Sequence, residues 1–186
     1  MSIEVAKRLF TVDEYYKMAE AGVLTPEDRV ELIDGEIIQM SPISDRHAGC
    51  VNWANQAFAA AFHGRAVVSV QNPLRLSNYT EPEPDVVLLK HRDDAYRRKR
   101  PFGDDTYLIL EVAHTTLRYD RNIKVPRYAA AGIPEVWIED LEHELLLVFR
   151  VPEGNAYKTV LNLKAGDVVS VQAFPDVTFK VAELLG

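Results

Sequence analysis

Two acidic residues lie at the borders of apolar stretches in this sequence and could do chemistry together. Asp85 follows two Glu-Pro pairs in "TEPEPDVVLLK", and Glu111 lies near the end of "LILEV". Burying an unpaired carboxylate costs free energy, so a carboxylate at such a place is usually exposed, paired or bound to a metal. If the two apolar stretches are neighbouring strands, both carboxylates converge at one edge of a sheet. Paired hard oxygen ligands suit Mg²⁺, which takes one or two carboxylates together with water and phosphate oxygens.

Lys124, in "YDRNIKVPRY", is the third candidate. An ammonium group beside the metal would stabilise the charge that develops on an attacked phosphate, or orient the attacking water. The residue types alone leave a second interpretation open, because structural ion pairs also occur at strand ends. In that interpretation Asp85 caps a turn, Glu111 pairs with a surface arginine and Lys124 is solvated.

The composition fits a single globular domain over residues 1–186, with 47% hydrophobic and 26% charged residues. The single cysteine, Cys50, excludes an intrachain disulfide and a cysteine metal cluster, and it suits the cytoplasm. We expect neither a signal peptide in "MSIEVAKRLF" nor a membrane-spanning segment. The formal net charge of −7 argues against broad nucleic-acid binding but leaves room for a local basic patch.

Two local signals organise the first part of the chain. Thr11 with Glu14 three residues later forms a capping box and predicts a short helix. Asp34-Gly35 lies between two apolar runs in "VELIDGEIIQM" and predicts a β-hairpin.

Helices and strands alternate through the middle of the chain. The apolar runs "VVLL" and "TYLILEV" are typical of strands that are covered on both faces. Pro126 is expected to kink the helix that contains it or to begin that helix's first full turn. These signals predict an α/β (α+β) fold in which helices flank a mixed central β-sheet, with additional β-hairpins. The predicted helices span 44–62 and 120–131; the predicted strands span 66–71, 86–89, 106–112, 134–140 and 144–150, before edge strands and a short closing helix.

Four stretches together resemble a bacterial endonuclease family of the PD-(D/E)XK restriction-endonuclease-like superfamily. They are "VELIDGEIIQMSP", "EPEPDVVLL", "LILEV" and "DRNIKVPRYAAAGIPEVWIED", of which the last is the most specific. The similarity runs from about Phe10 to Gly186. It implies a restriction-endonuclease-like core and a phosphodiesterase site that uses Mg²⁺, with Mn²⁺ as the alternative ion.

The resemblance assigns roles to single residues. Pro84-Asp85 matches the PD element and Glu111 the (D/E), while the backbone carbonyl of Val112 would complete the metal ligands. The lysine of the superfamily pattern would fall at Ala113, where it is absent. The family takes its lysine from the following helix, which here gives Lys124.

The segment after Glu111 departs from the family pattern. Relatives commonly carry a Ser-Pro-Ser-like turn after Glu-Val, whereas this chain has His114-Thr115-Thr116. The edge of the site is therefore altered. With the acidic net charge, this motivates an alternative in which the fold is a catalytically inactive nucleic-acid-binding or dimerising module.

Three further residues are candidates for supporting roles. Glu31 matches a recurrent acidic position of the family and would be a third carboxylate near the metal or a salt-bridge partner. His47 would approach the site from the start of its helix, or simply begin that helix. Gln71 ends a strand and would face the metal or remain an ordinary amide at the sheet edge. Asp120 is predicted to cap the next helix.

A basic loop follows the Asp85 strand in "KHRDDAYRRKR". Its residues Arg97, Arg98, Lys99 and Arg100 would contact a phosphate backbone, or the loop is merely solvated.

The combined expectation is a cytoplasmic, metal-dependent endonuclease that hydrolyses phosphodiester bonds, with DNA preferred over RNA as the partner. A homodimer is compatible with the resemblance, since restriction-like enzymes often pair two sites. A weaker third hypothesis is a metal-dependent hydrolase of a small phosphodiester.

Overall fold

The computed structural model describes residues 6–186. Residues 1–5, the first half of the stretch in which no signal peptide was expected, lie outside the described part. Among the helices of residues 6–186, none is long and apolar enough to cross a membrane.

Helix α1 (Val12–Glu20) begins where the capping box predicted it. The Glu14 N–H donates to Thr11 Oγ1 over 3.2 Å, and the Thr11 N–H donates to Glu14 Oε2 over 2.9 Å. This reciprocal pair satisfies two N–H groups that have no partner within the helix. The Tyr16 hydroxyl donates to Glu81, which ties α1 to the extended segment with the two Glu-Pro pairs.

The predicted hairpin is formed by β1 (Val30–Ile33) and β2 (Glu36–Gln39). Asp34 and Gly35 have φ angles of 52° and 78°. Positive φ at both central residues is the requirement of a type I′ turn, which explains the Asp-Gly pair. An isolated bridge to Glu81 places β1 beside the segment that leads into the central sheet.

The central sheet has six strands in the order β3-β4-β5-β6-β7-β8. Neighbouring strands are antiparallel except β5 and β6, which are parallel, so the predicted mixed sheet is confirmed. The strands are β3 (Ala66–Val70), β4 (Val86–Lys90), β5 (Thr106–Ala113), β6 (Glu135–Asp140), β7 (Leu145–Glu153) and β8 (Ala156–Leu163).

Helices cover both faces of this sheet. On one face, Phe58 belongs to an apolar cluster with Leu110 and Trp137. On the other face, Tyr128 belongs to a cluster with Ile109. Successive strand residues point to opposite faces, so β5 is buried on both sides as predicted. The first face is covered by α2 (Asp45–Ala61), which Ser44 caps, and by α5 (Val181–Leu185). The second face is covered by α4 (Val125–Ala130).

A continuous helical segment over residues 117–130, which we call the site helix, connects β5 to β6. It consists of α3 (Leu117–Tyr119), a π-helical turn (Asp120–Lys124) and α4. The helix therefore begins earlier than predicted and is not a plain α-helix. Pro126 accounts for the irregular part of the helix. It has no N–H to donate to the carbonyl four residues back and so interrupts the α-helical hydrogen-bond ladder.

The rest of the chain completes the fold as expected. Gly132, at φ 73°, follows the site helix and ends it. Strand β8 forms an edge of the central sheet. A small second hairpin of β9 (Val168–Val169) and β10 (Phe179–Lys180) precedes the closing helix α5.

Candidate active site

A cavity of about 450 Å³ lies where the β1–β2 hairpin, the start of α2, the site helix and the ends of β4 and β5 meet. Acidic side chains dominate its wall. The charged and titratable lining residues are Arg29, Glu31, His47, Glu83, Asp85, Glu111, His114, Tyr119, Asp120 and Lys124. The structure thus brings together the three predicted catalytic residues and two of the three supporting candidates.

Asp85 lies directly before β4, and its side chain is 13% exposed. Its Oδ2 accepts the Val112 N–H over 2.8 Å and lies 3.1 Å from His47 Nε2. The Gln71 side-chain amide donates to Oδ1 over 3.2 Å. Burial alone would raise the pKa of Asp85, but His47 and the Val112 N–H outweigh it, so the pKa is lowered. Asp85 is therefore an ionised carboxylate that bridges strands rather than the cap of a turn.

Glu111 points into the cavity from β5 and is 3% exposed. Its Oε1 accepts hydrogen bonds from Lys124 Nζ, at 3.1 Å, and from the Tyr128 hydroxyl. Its Oε2 lies 3.4 Å from the Asp85 backbone nitrogen. Burial is the main reason that the pKa of Glu111 is raised to about 8. A cation placed beside Glu111 would favour its ionised form.

Lys124 is buried in the π-helical turn, with its ammonium group between two carboxylates. Nζ lies 3.1 Å from Glu111 Oε1 and 3.3 Å from Glu31 Oε2. Burial alone would lower the pKa of Lys124, but the carboxylates of Glu111 and Glu31 raise it above its usual value. The lysine is therefore charged and desolvated, and the interpretation of a solvated lysine is wrong. Glu111 likewise pairs with this lysine and not with a surface arginine.

Glu31, on β1, is buried and has two partners. Besides the Lys124 contact, its Oε2 accepts the Glu83 N–H over 3.1 Å. It is thus a salt-bridge partner that also lines the cavity. His47 lies in the first turn of α2, and its Nδ1 is buried without a hydrogen-bond partner among residues 6–186.

A family model described as "Putative restriction endonuclease", the Uma2 family, matches residues 12–182. The chain belongs to the Uma2 family. A search among curated proteins found no match for this Uma2 protein. A crystal structure of "a putative nuclease belonging to DUF820 from Anabaena variabilis ATCC 29413" is similar in fold, with a TM-score of 0.75 and 16% sequence identity. The match covers 95% of the Uma2 chain and 97% of the Anabaena variabilis chain. At this identity the likeness establishes a shared fold.

Sequence reasoning missed part of the site of this Uma2 protein. Asp120 does not cap a helix, because α3 already begins at Leu117 and Asp120 continues it. Its buried carboxylate accepts the Thr116 hydroxyl over 2.6 Å, and burial raises its pKa to about 6. Tyr128 was also missed. The spacing of Asp120, Lys124 and Tyr128 at intervals of four residues was the available signal, since it places them on one side of a helix.

The altered edge of the Uma2 site is part of the cavity wall. His114, Thr115 and Thr116 all line the cavity. His114 Nδ1 lies 3.3 Å from the Ser44 hydroxyl at the start of α2. These residues therefore contact the space in which a substrate would lie.

The basic loop of the Uma2 chain follows the far end of β4 from Asp85, and residues 97–100 do not line the cavity. Arg100 stacks over the Tyr16 ring at 4.0 Å and lies 3.5 Å from Glu81 Oε1, so it has partners within the protein. Arg97 and Arg98 are exposed. A role of the loop in binding nucleic acid stays a prediction.

Proposed function

We propose that this protein is a metal-dependent nuclease that hydrolyses phosphodiester bonds of nucleic acid, with DNA preferred over RNA. The observation that carries the proposal is the convergence of Asp85, Glu111 and Lys124 on one cavity of about 450 Å³. The fold and the family agree with it. Titratable groups with perturbed pKa values in a cavity are typical of active sites.

The residues of the cavity fit a divalent cation. Asp85 and Glu111 offer hard carboxylate oxygens, and the negative charges of the wall outnumber the positive ones. Within residues 6–186 no three His, Cys, Asp or Glu side chains are grouped to hold a metal. Mg²⁺ or Mn²⁺ needs no such group, because one or two carboxylates with water and phosphate oxygens suffice. Asp85, Glu111 and the Val112 carbonyl would hold the ion.

A bound ion would lower the pKa of a water molecule and shield the scissile phosphate. Lys124 supplies a fixed positive charge beside Glu111, in a buried place where its field is screened little by water. Two of its three N–H donors face Glu111 and Glu31, which leaves one donor for a phosphate oxygen. His47 and Gln71 hold the Asp85 carboxylate in position through its two oxygens.

The choice of DNA follows the description of the family, and the exposed Arg97 and Arg98 would add contacts to the phosphate backbone. A cytoplasmic location agrees with the one buried, free cysteine, Cys50. A homodimer would allow two sites to cut two strands.

The test is a cleavage assay with duplex DNA, single-stranded DNA, RNA and a small phosphodiester, each in Mg²⁺, Mn²⁺ or EDTA. We expect cleavage of DNA by the wild type in the metal ions only, and loss of at least about a hundredfold in Asp85→Asn and Glu111→Gln. Asp93→Asn removes a fully exposed carboxylate outside the cavity and should cleave normally. Activity that survives in Asp85→Asn would refute the assignment.

A catalytically inactive binding or dimerising module is the second candidate. Protein donors already contact three of the four oxygens of Asp85 and Glu111, and the fourth, Glu111 Oε2, lies 3.4 Å from a backbone N–H. The carboxylate oxygens therefore have hydrogen-bond partners even without a metal. This candidate predicts nucleic-acid binding or self-association that persists in EDTA, with no cleavage of any substrate in the same panel.

A further inference from the structure

The electrostatics of the cavity pose a problem for a polyanionic substrate. Five carboxylates line it, whereas Lys124 and Arg29 are the lysine and arginine side chains of its wall. The five are Glu31, Glu83, Asp85, Glu111 and Asp120. A nucleic-acid backbone approaching this wall meets mainly negative charge, so each available cation matters.

The two cations differ in what they already contact. Lys124 is buried and holds Glu111 and Glu31 within 3.3 Å. Arg29 is partly exposed, and within residues 6–186 no carboxylate oxygen lies within 4.0 Å of its guanidinium. Among residues 6–186 the guanidinium makes one hydrogen bond, in which Nη1 donates to the Ser41 carbonyl over 3.5 Å. Arg29 therefore has no ion-pair contact among residues 6–186, although its positive charge opposes the rise in the pKa of nearby Glu83.

The backbone holds Arg29 in an unusual conformation. Its φ of 40° and ψ of 68° are left-handed, which costs a residue with a side chain about 1 kcal/mol or more. The surroundings fix this conformation, because the Arg29 carbonyl accepts the Met40 N–H over 2.9 Å and the Gln39 side-chain amide over 3.1 Å. A strained residue fixed at the wall of a cavity is a common sign of a functional position.

We infer that Arg29 binds a backbone phosphate of the nucleic acid at the mouth of the cavity. This inference rests on the proposed nuclease function and names the residue that holds the substrate. Arginine suits the task, since its planar guanidinium gives two parallel hydrogen bonds to one phosphate. The contact is to the backbone, so it contributes affinity without sequence preference.

The experiment measures binding of a labelled single-stranded DNA oligonucleotide and of the matching duplex by fluorescence anisotropy, over a series of salt concentrations. It is run in EDTA and again in Ca²⁺. Arg29→Gln removes the charge and keeps a shorter amide donor, whereas Arg29→Lys keeps the charge. Lys164→Gln is the matched control, because Lys164 is exposed, outside the cavity and without a salt-bridge partner in residues 6–186. Urea unfolding verifies that each variant is folded.

We expect Arg29→Gln to bind about tenfold more weakly at low salt. The slope of log affinity against log salt should become shallower by about one, the value for one phosphate contact. Arg29→Lys should keep the wild-type slope, and Lys164→Gln should match the wild type in affinity and slope.

An unchanged slope in Arg29→Gln overturns the inference, as does a wild type that binds neither DNA. Cleavage by the wild type in Mg²⁺ is measured alongside. If the wild type cleaves DNA while Arg29→Gln keeps the wild-type salt dependence of binding, the role of Arg29 is refuted and the nuclease function is supported. If binding depends on Arg29 but no substrate is cleaved, the nuclease function is refuted and the phosphate contact is supported.

Discussion

Lys124 Nζ lies 3.1 Å from Glu111 Oε1, inside the protein and at the base of the acidic cavity. Burial raises the pKa of Glu111 to about 8, and the charge of Lys124 offsets only part of that rise. The same group is the proposed catalytic lysine. Its structural and catalytic roles can be separated, because folding and cleavage are measured independently.

Replacing Lys124 with methionine should destabilise the protein by about 3–5 kcal/mol, because the neighbouring carboxylates lose their partner in a buried place. Urea unfolding at neutral pH measures the change. Lys164→Met, at an exposed position, should stay within about 0.5 kcal/mol of the wild type. A Lys124→Met protein with the wild-type unfolding midpoint would show that the ion pair is not what stabilises the cavity.

Metal binding should stabilise the folded protein through Asp85. At a hundredfold excess of Mg²⁺ over its dissociation constant, linkage raises the free energy of unfolding by about 2.7 kcal/mol. Thermal unfolding in Mg²⁺ and in EDTA measures this difference. It should vanish in Asp85→Asn and persist in Asp93→Asn, whose altered side chain is fully exposed. Equal stabilisation of Asp85→Asn would place the ion elsewhere.

Glu139 on β6 should make stability depend on pH. It is fully buried, neither of its oxygens has a hydrogen-bond partner among residues 6–186, and burial raises its pKa well above 4.5. A raised folded-state pKa contributes stability that is complete below the unfolded value and is lost as pH rises toward the folded one. The glutamine of Glu139→Gln does not titrate. The free energy of unfolding of this variant, relative to that of the wild type, should therefore rise by about 1.4 kcal/mol per pH unit above pH 4.5.

Urea unfolding of both proteins between pH 4 and 8 checks this difference, and using the difference cancels the titration of the other acids. The gain should level off once the folded-state pKa is passed. A difference that stays constant over the range would mean that Glu139 titrates alike in the folded and unfolded chains.

Gly35 should tolerate alanine poorly, since a Cβ there would lie 2.6 Å from Leu9 Cβ and 3.1 Å from Phe10 backbone atoms. Positive φ adds about 1 kcal/mol to the cost. Gly154→Ala is the matched control, because Gly154 has a similar φ and no atom within 4 Å of the added Cβ. We expect Gly35→Ala to lose at least about 1 kcal/mol more than Gly154→Ala in urea unfolding. Equal losses of stability in the two variants would mean that the segment of Leu9 and Phe10 moves away from the added Cβ at little cost.

Local signals predicted the elements whose cause is local. Thr11 and Glu14 fix the start of α1, and Asp34-Gly35 fixes the hairpin, because their partners are a few residues away. The π-helical turn escaped prediction. Pro126 indicated an irregularity in the helix but not that a π-helical turn over Asp120–Lys124 would precede it.

The resemblance to a family predicted the two carboxylates and the lysine of the candidate site. Arg29 and Tyr128 were not predicted, because nothing in their sequence surroundings distinguishes a cavity-lining arginine from a surface one or a hydrogen-bonding tyrosine from a core one. Their roles come from contacts between distant segments, such as the Tyr128 hydroxyl with Glu111. Periodicity and turn chemistry carry no information of that kind.

The parallel pairing of β5 with β6 bears on how the protein acquires its site. Parallel neighbours need a crossover connection, and here that connection is the site helix that carries Lys124. Closing long loops is slow, since chain entropy is lost before the contacts between distant segments form. We therefore expect the pairing of Glu31 with Lys124 to form late in folding. A growing chain on the ribosome that has not yet emerged past the crossover holds both carboxylates but no assembled cavity.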